Sequence, residues 1–268
     1  MKLKVLVDNN TYIDKYYRGE PAVSYYIEDE DVRILLDVGY SDLFITNSNA
    51  LGVDLQSMNA IIISHGHDDH TGGLKYYFEQ NHKNRIAIFA HPDAFRVKII
   101  DDLRICSPIL REELKEKCDL VLLKTPKKVS KHITFLGEIP QRNNFEKRKS
   151  IGKQNVDETF INDYVLDDTA LAYQSEKGIY IITGCSHSGI CNIVEYAKEV
   201  CKDNRVLGII GGFHLFELSE QVSRTIDYLK QNNVKELYPC HCTSFVVKAE
   251  INKTLPVKEV GVGLELQW

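Results

Sequence analysis

No stretch of this chain approaches the roughly 20 consecutive apolar residues that a membrane-spanning helix requires. The opening Met1-Lys2-Leu3-Lys4-Val5-Leu6-Val7-Asp8 has no apolar core of the kind a secretory signal carries. No membrane partner is therefore expected. Long basic blocks are also missing: 33 Lys and Arg stand against 38 Asp and Glu, a net charge of −5, so nucleic acid is not favoured as a partner. The seven cysteines are an odd, scattered set without the spacing of a disulfide framework, which places the chain in a reducing cytoplasm.

What the chain does have is enough apolar material for a sizeable core, with 43% of its 268 residues hydrophobic. Residues 1–268 are expected to form one domain. Lys2–Asp8, Val23–Glu28 and Val32–Asp37 read as three successive strands, and Asp42–Leu51 as a helix with Gly52 at its C-terminal stop. Arg85–Ala90 reads as another strand, broken at His91-Pro92. His91 is kept outside any metal set. From 91 to 166 the pattern is mixed and charged, with only Asp119–Leu123 readable as a strand, and this segment is expected to be a substrate-side insertion.

The densest chemistry lies at Asn59-Ala60-Ile61-Ile62-Ile63-Ser64-His65-Gly66-His67-Asp68-Asp69-His70-Thr71-Gly72-Gly73. A short β-branched run ends in three histidines and two aspartates, and Thr71–Gln80 then reads as a helix. Side chains two apart in extended backbone share a face, so His65 and His67 can bind one ion together, while Asp69 and His70 turn toward a second ion or a water.

The arrangement recurs downstream. Gly178–Thr183 is an apolar strand, a hairpin partner for Asp167–Tyr173, and it ends in Gly184-Cys185-Ser186-His187 before a helix Ile190–Cys201. His187 is the natural third ligand beside His65 and His67. Arg205–Ile210 opens into Gly211-Gly212-Phe213-His214, followed by a capped helix Ser219–Gln231, and Glu236–Pro239 ends in Cys240-His241-Cys242. Extended backbone alternates its side chains, which predicts that Cys185, Cys240 and Cys242 face the core when His187 and His241 face a metal. The stretch Lys258–Leu266 reads as a closing strand at a sheet edge.

His65-x-His67-x-Asp69-His70 resembles the HxHxDH signature of the metallo-β-lactamase superfamily. A second stretch, Phe135-Leu136-Gly137-Glu138-Ile139-Pro140-Gln141-Arg142-Asn143-Asn144-Phe145-Glu146, is similar to a GEIPR-x-x-x-FE signature. That signature marks a branch of metal-dependent hydrolases that includes archaeal 7,8-dihydropterin-6-methyl-4-(β-D-ribofuranosyl)aminobenzene-5'-phosphate synthases. Gln141 stands where the branch has arginine, so an anion contact shifts to Arg142 or is lost.

The resemblance implies a four-layer αββα sandwich, where the element pattern alone supports an α/β or α+β domain. It implies Asp37 as a hydrogen-bonding support of the metal loop and His241 as a ligand of a second ion. It also leads one to seek a bridging aspartate in 211–214, where His214 is the one ligand-competent side chain and takes either a metal, a substrate or a structural role. Glu138 and Arg142 are candidate substrate contacts. The cofactor expected is one or two divalent ions, zinc first, with iron or manganese as alternatives.

Three functions follow from these residues. The first is hydrolysis of a small, possibly anionic or phosphorylated ester, amide or phosphoester by a metal-bound hydroxide, with Asp69 orienting the water. The second is a dihydropterin-pyrophosphate-type transferase. The third is a non-catalytic metal-binding or redox protein, suggested by the missing carboxylate and the nearby cysteines.

Overall fold

The computed structural model describes residues 1–80 and 85–268. The chain opens with β1 (Lys2–Val7), β2 (Ser24–Asp29) and β3 (Val32–Leu36), an antiparallel meander. Helix α1 (Leu43–Ala50) leads to β4 (Ala60–Ile62), and the metal loop follows as two short helices, α2 (Asp68–Thr71) and α3 (Leu74–Glu79). The expected single helix Thr71–Gln80 thus begins earlier and is broken at Gly72-Gly73. The break is where the chain is stitched to the end of β3, since Val38 N–H donates to His70 O and Gly73 N–H to Gly39 O.

Next come β5 (Ala87–Ala90), β6 (Lys98–Ile100), β7 (Leu103–Arg104), α4 (Arg111–Lys117), β8 (Asp119–Leu122), β9 (Lys127–Lys128) and β10 (Ile133–Phe135). A small hairpin, β11 (Lys153–Val156) with β12 (Thr159–Asn162), precedes the long hairpin β13 (Ala170–Ser175) and β14 (Gly178–Thr183). Helix α5 (Ile190–Cys201), β15 (Val206–Gly211), α6 (Glu220–Gln231), β16 (Glu236–Pro239), α7 (Phe245–Asn252) and β17 (Glu265–Gln267) complete the chain.

These strands make two large sheets, in the orders β17-β1-β2-β3-β4-β5-β8 and β16-β15-β14-β13-β10-β9, and a small third one, β12-β11-β6-β7. The alternation of apolar side chains assigns the layers. Ile34, Leu36 and Ile62 of the first sheet meet Phe135, Leu171, Ile182 and Ile210 of the second in one buried cluster. Their neighbours Leu35 and Ile61 face the other way, onto Phe44, Leu74 and Leu114 of helices α1, α3 and α4. On the far side Ile181, Ile209 and Leu237 pack under Ile193, Val222 and Val247 of α5, α6 and α7. Helix, sheet, sheet, helix is a four-layer αββα sandwich.

Segment 91–166 is not one insertion. Residues 119–122 extend the first sheet and 127–128 with 133–135 extend the second, leaving 98–104 and 153–162 to build the small sheet. The divided pattern explains why the sequence shows no single period there. The closing strand does reach the sheet edge beside β1, but only over Glu265–Gln267; Val257 and Val262 make isolated bridges instead.

Candidate metal centre

Strands β3, β4, β14, β15 and β16 run in parallel register through each half and spill their following loops at one end of the sandwich. Four of the residues just past these strands hold the left-handed backbone region: Asp37 at φ 58°, Ser186 at 57°, His214 at 50° and His241 at 48°. Side chains larger than glycine avoid that region unless their surroundings enforce it, and such positions gather at functional sites.

Asp37 anchors the loop. It is fully buried; Oδ1 accepts the Ser64 N–H at 2.7 Å, and Oδ2 accepts both the Ser64 hydroxyl at 2.6 Å and His70 Nδ1 at 2.7 Å. Gly66 sits where a Cβ would lie 1.9 Å from Ala94 O, so only glycine lets the loop pass. Its N–H donates to Asp167 Oδ2 at 2.7 Å.

Two groups of ligand atoms converge. In the first, His65 Nε2 lies 3.0 Å from His67 Nδ1 and 3.2 Å from His187 Nε2. In the second, Asp69 Oδ2 lies 3.3 Å from His70 Nε2 and 3.2 Å from His241 Nε2. Burial keeps His65 and His187 well below the usual imidazole range and brings His67 down to about 4, so all three are neutral at pH 7. Burial opposes ionisation of Asp69 too, but His70 and His241 outweigh it and hold the carboxyl well below its ordinary range.

The tautomers are set from behind. A carboxylate only accepts, so His70 Nδ1 carries the proton given to Asp37. The Ser64 hydroxyl, itself donating to Asp37, accepts from His65 Nδ1 at 3.2 Å, and Asn9 Oδ1 accepts from His241 Nδ1 at 3.1 Å. His65, His70 and His241 thus each turn Nε2 inward. Burial opposes a charge on His70, but Asp69 and Asp37 outweigh it and raise the imidazole well above its usual range; a divalent cation would displace that proton, and imidazole nitrogens gathered round one carboxylate are a donor set that fits such an ion.

A metallo-beta-lactamase superfamily model matches residues 17–96. An uncharacterised protein of Methanocaldococcus jannaschii is 34% identical over 257 residues, which are 94% of each chain. The same organism's 7,8-dihydropterin-6-methyl-4-(beta-D-ribofuranosyl)-aminobenzene-5'-phosphate synthase is 34% identical over 265 residues, covering 93% of this chain and 89% of that one.

The chain belongs to the metallo-β-lactamase superfamily.

Among solved structures, Tm1679, described as a metal-dependent hydrolase of the β-lactamase superfamily, superposes over 100% of this chain and 99% of its own, with a TM-score of 0.85 and 25% identity. The αββα fold is thus that of the superfamily, whose members commonly bind divalent metals.

Against that pattern the cysteines depart from expectation. Cys240 does face the core, 3.2 Å from the Tyr25 hydroxyl. Cys185 does not: its Sγ lies 3.2 Å from both His70 Nε2 and His241 Nε2. The left-handed turn at Ser186 breaks the alternation on which the core assignment rested, so Cys185 and His187 point into the same site. Cys242 flanks it, 3.5 Å from the Cys185 carbonyl, with its sulfur in one group with the Cys185 sulfur and His214. His214 stacks on His187 with centroids 4.2 Å apart and lies outside both main ligand groups.

Glu138 and Arg142 are engaged elsewhere. Glu138 pairs with His91 and Lys124 at 3.1 Å each, and Arg142 grips Glu199 through two 2.7 Å bonds. Neither lines the cavity of about 300 Å³ beside His187, whose walls include Lys147, Lys149, Phe213, His214 and Phe216. Glu146, from the same signature, caps α5 by accepting the N–H groups of Cys191 at 3.0 Å and Asn192 at 2.8 Å.

Acid should weaken the chelated protein in two steps. A depressed folded pKa stabilises above the unfolded value and is lost as pH falls through the folded one. His67, about 4 against 6.5, contributes between those values; Asp167, pulled to about 2 by Lys98 against the opposing effect of burial, contributes between about 4 and 2. Urea midpoints measured with chelator from pH 7 to pH 2 are expected to fall across both windows. A profile flat down to pH 3 would contradict this.

Proposed function

We propose that this protein is a metal-dependent hydrolase acting on a small anionic ester or phosphoester. The observation that carries the reading is the pair of converging ligand groups, His65-His67-His187 and Asp69-His70-His241, opening beside a cavity lined by Lys147 and Lys149. Divalent ions held there would supply an activated water and polarise a carbonyl or phosphoryl oxygen.

The chain's own residues do the rest. Asp69, kept ionised, accepts a hydrogen bond from the attacking water and so orients it. Asp37, Ser64 and Asn9 keep the imidazoles turned inward. Lys147 and Lys149 make no ion pair among the described residues and stand where an anionic group would enter, while Phe216 offers an apolar wall. The similarity to the pterin-type synthase supports a second reading, group transfer from a dihydropterin pyrophosphate to an arylamine riboside phosphate at the same centre.

The test is a panel of nitrophenyl phosphate monoester, phosphodiester and acyl esters, assayed with Zn²⁺, Mn²⁺ or Fe²⁺ and after chelation. A parallel incubation supplies the two pterin-reaction substrates. Chelator-sensitive cleavage supports hydrolysis, condensation product supports transfer, and neither activity with any ion would remove both. The double variant Lys147→Ala/Lys149→Ala is expected to raise KM for an anionic substrate about tenfold, since exposed charges contribute up to about 1 kcal/mol each. Its kcat should stay within about twofold, and a neutral acyl ester should show no change in KM.

A further inference from the structure

The bridging carboxylate sought in 211–214 is absent, yet the gap between the two ligand groups is not empty of donors. Cys185 belongs to the Asp69-His70-His241 group and also to a group with His65 and His187, its ligand atom lying within 4.8 Å of the others in each. It contacts His70 Nε2 and His241 Nε2 at 3.2 Å each. The sulfur therefore sits against the inward Nε2 atom of both rings at once. The residue is buried at 3% exposure, and its backbone is fixed because Gly184 O accepts the Gly212 N–H at 2.8 Å. A buried thiol in that position is inert without a cation and a ligand with one.

Resting on the metal-centre reading above, we propose that Cys185 is the bridging ligand of a two-ion site. Its thiolate sulfur is shared between the ion of His65, His67 and His187 and the ion of Asp69, His70 and His241. On binding, the S–H bond breaks, two metal–sulfur bonds form, and one proton leaves to solvent. A soft sulfur in place of a carboxylate oxygen biases the site toward Zn²⁺, Fe²⁺ or Co²⁺ over Mn²⁺ and Mg²⁺. Cys242, whose sulfur groups with Cys185 and His214 and with none of the imidazoles assigned to either ion, stays outside the bridge.

The test loads the chelated full chain with Co²⁺ and Zn²⁺. The wild type is expected to hold two ions per chain, to show a near-ultraviolet sulfur-to-cobalt charge-transfer band, and to give a zinc–sulfur shell at about 2.3 Å by X-ray absorption. Cys242→Ser keeps all three signals. Cys185→Ser loses the band and the shell and binds its second ion at least tenfold more weakly. Cys185→Asp, which restores a carboxylate, holds two ions without the band and shifts preference toward Mn²⁺. Two ions in the wild type with no sulfur signal, or a signal that survives Cys185→Ser, overturns the bridge while leaving the metal centre standing. A wild type that binds no ion overturns both. The X-ray absorption measurement needs no variant, so a Cys185→Ser protein that fails to fold does not remove the test.

Discussion

Asp69→Ala is expected to lower kcat/KM by about 10²- to 10⁴-fold on whichever substrate the panel identifies, the range that loss of a positioned acid–base group produces. The same change should drop the metal content from two ions to one per chain, because Asp69 Oδ2 is the acidic member of the second group, 3.2 Å from His241 Nε2 and 3.3 Å from His70 Nε2. The fold should survive. Asp69 lies in the short helix α2, outside the sheets, and its side chain is 18% exposed. Initial rates, elemental analysis and circular dichroism on one preparation separate the effects. Activity above a tenth of wild type would show that Asp69 neither orients the water nor holds an ion.

Lys98→Met is expected to destabilise the protein by about 3–5 kcal/mol, the cost of leaving buried charges without their partner. Lys98 is fully buried, with Nζ 2.8 Å from both Asp163 Oδ2 and Asp167 Oδ1. Burial alone would discharge the lysine, but Asp167 and Asp163 keep its pKa above the usual value. The effect should reach the metal loop as well, since the other oxygen of Asp167 holds the Gly66 N–H between His65 and His67. Outer partners of metal ligands typically contribute about 10- to 100-fold in affinity. Guanidinium unfolding and zinc titration measure the two consequences. A loss below about 1 kcal/mol would mean that the two carboxylates find other protons or water.

How much of this was legible beforehand depends on how local each feature is. His65, His67, Asp69 and His70 lie within six residues, and their chemistry is written in their spacing. His187 stood out because it follows an apolar strand and His241 through the family resemblance, and the sandwich brings those strand ends together. The Lys98, Asp163 and Asp167 cluster left no trace in the sequence, because its partners are 65 and 69 residues apart and meet only where the small sheet packs against the loop. Asn9, behind His241, was hidden for the same reason, 232 positions away in the chain. Glu138 and Arg142 stood out by signature, yet a side chain's partner depends on what the fold brings near, here Lys124 and Glu199.

By itself, then, the order of residues determined the alternating strands, their two helical faces and a histidine-rich loop able to bind metal, because periodicity and short spacing are properties of adjacent positions. Only the tertiary structure decided which way Cys185 faces. A single left-handed residue, Ser186, reverses the side-chain direction that extended backbone would give, and such a turn is enforced by packing rather than encoded in neighbouring positions. That turn carries a sulfur into the space between two sets of ligands where a carboxylate was expected.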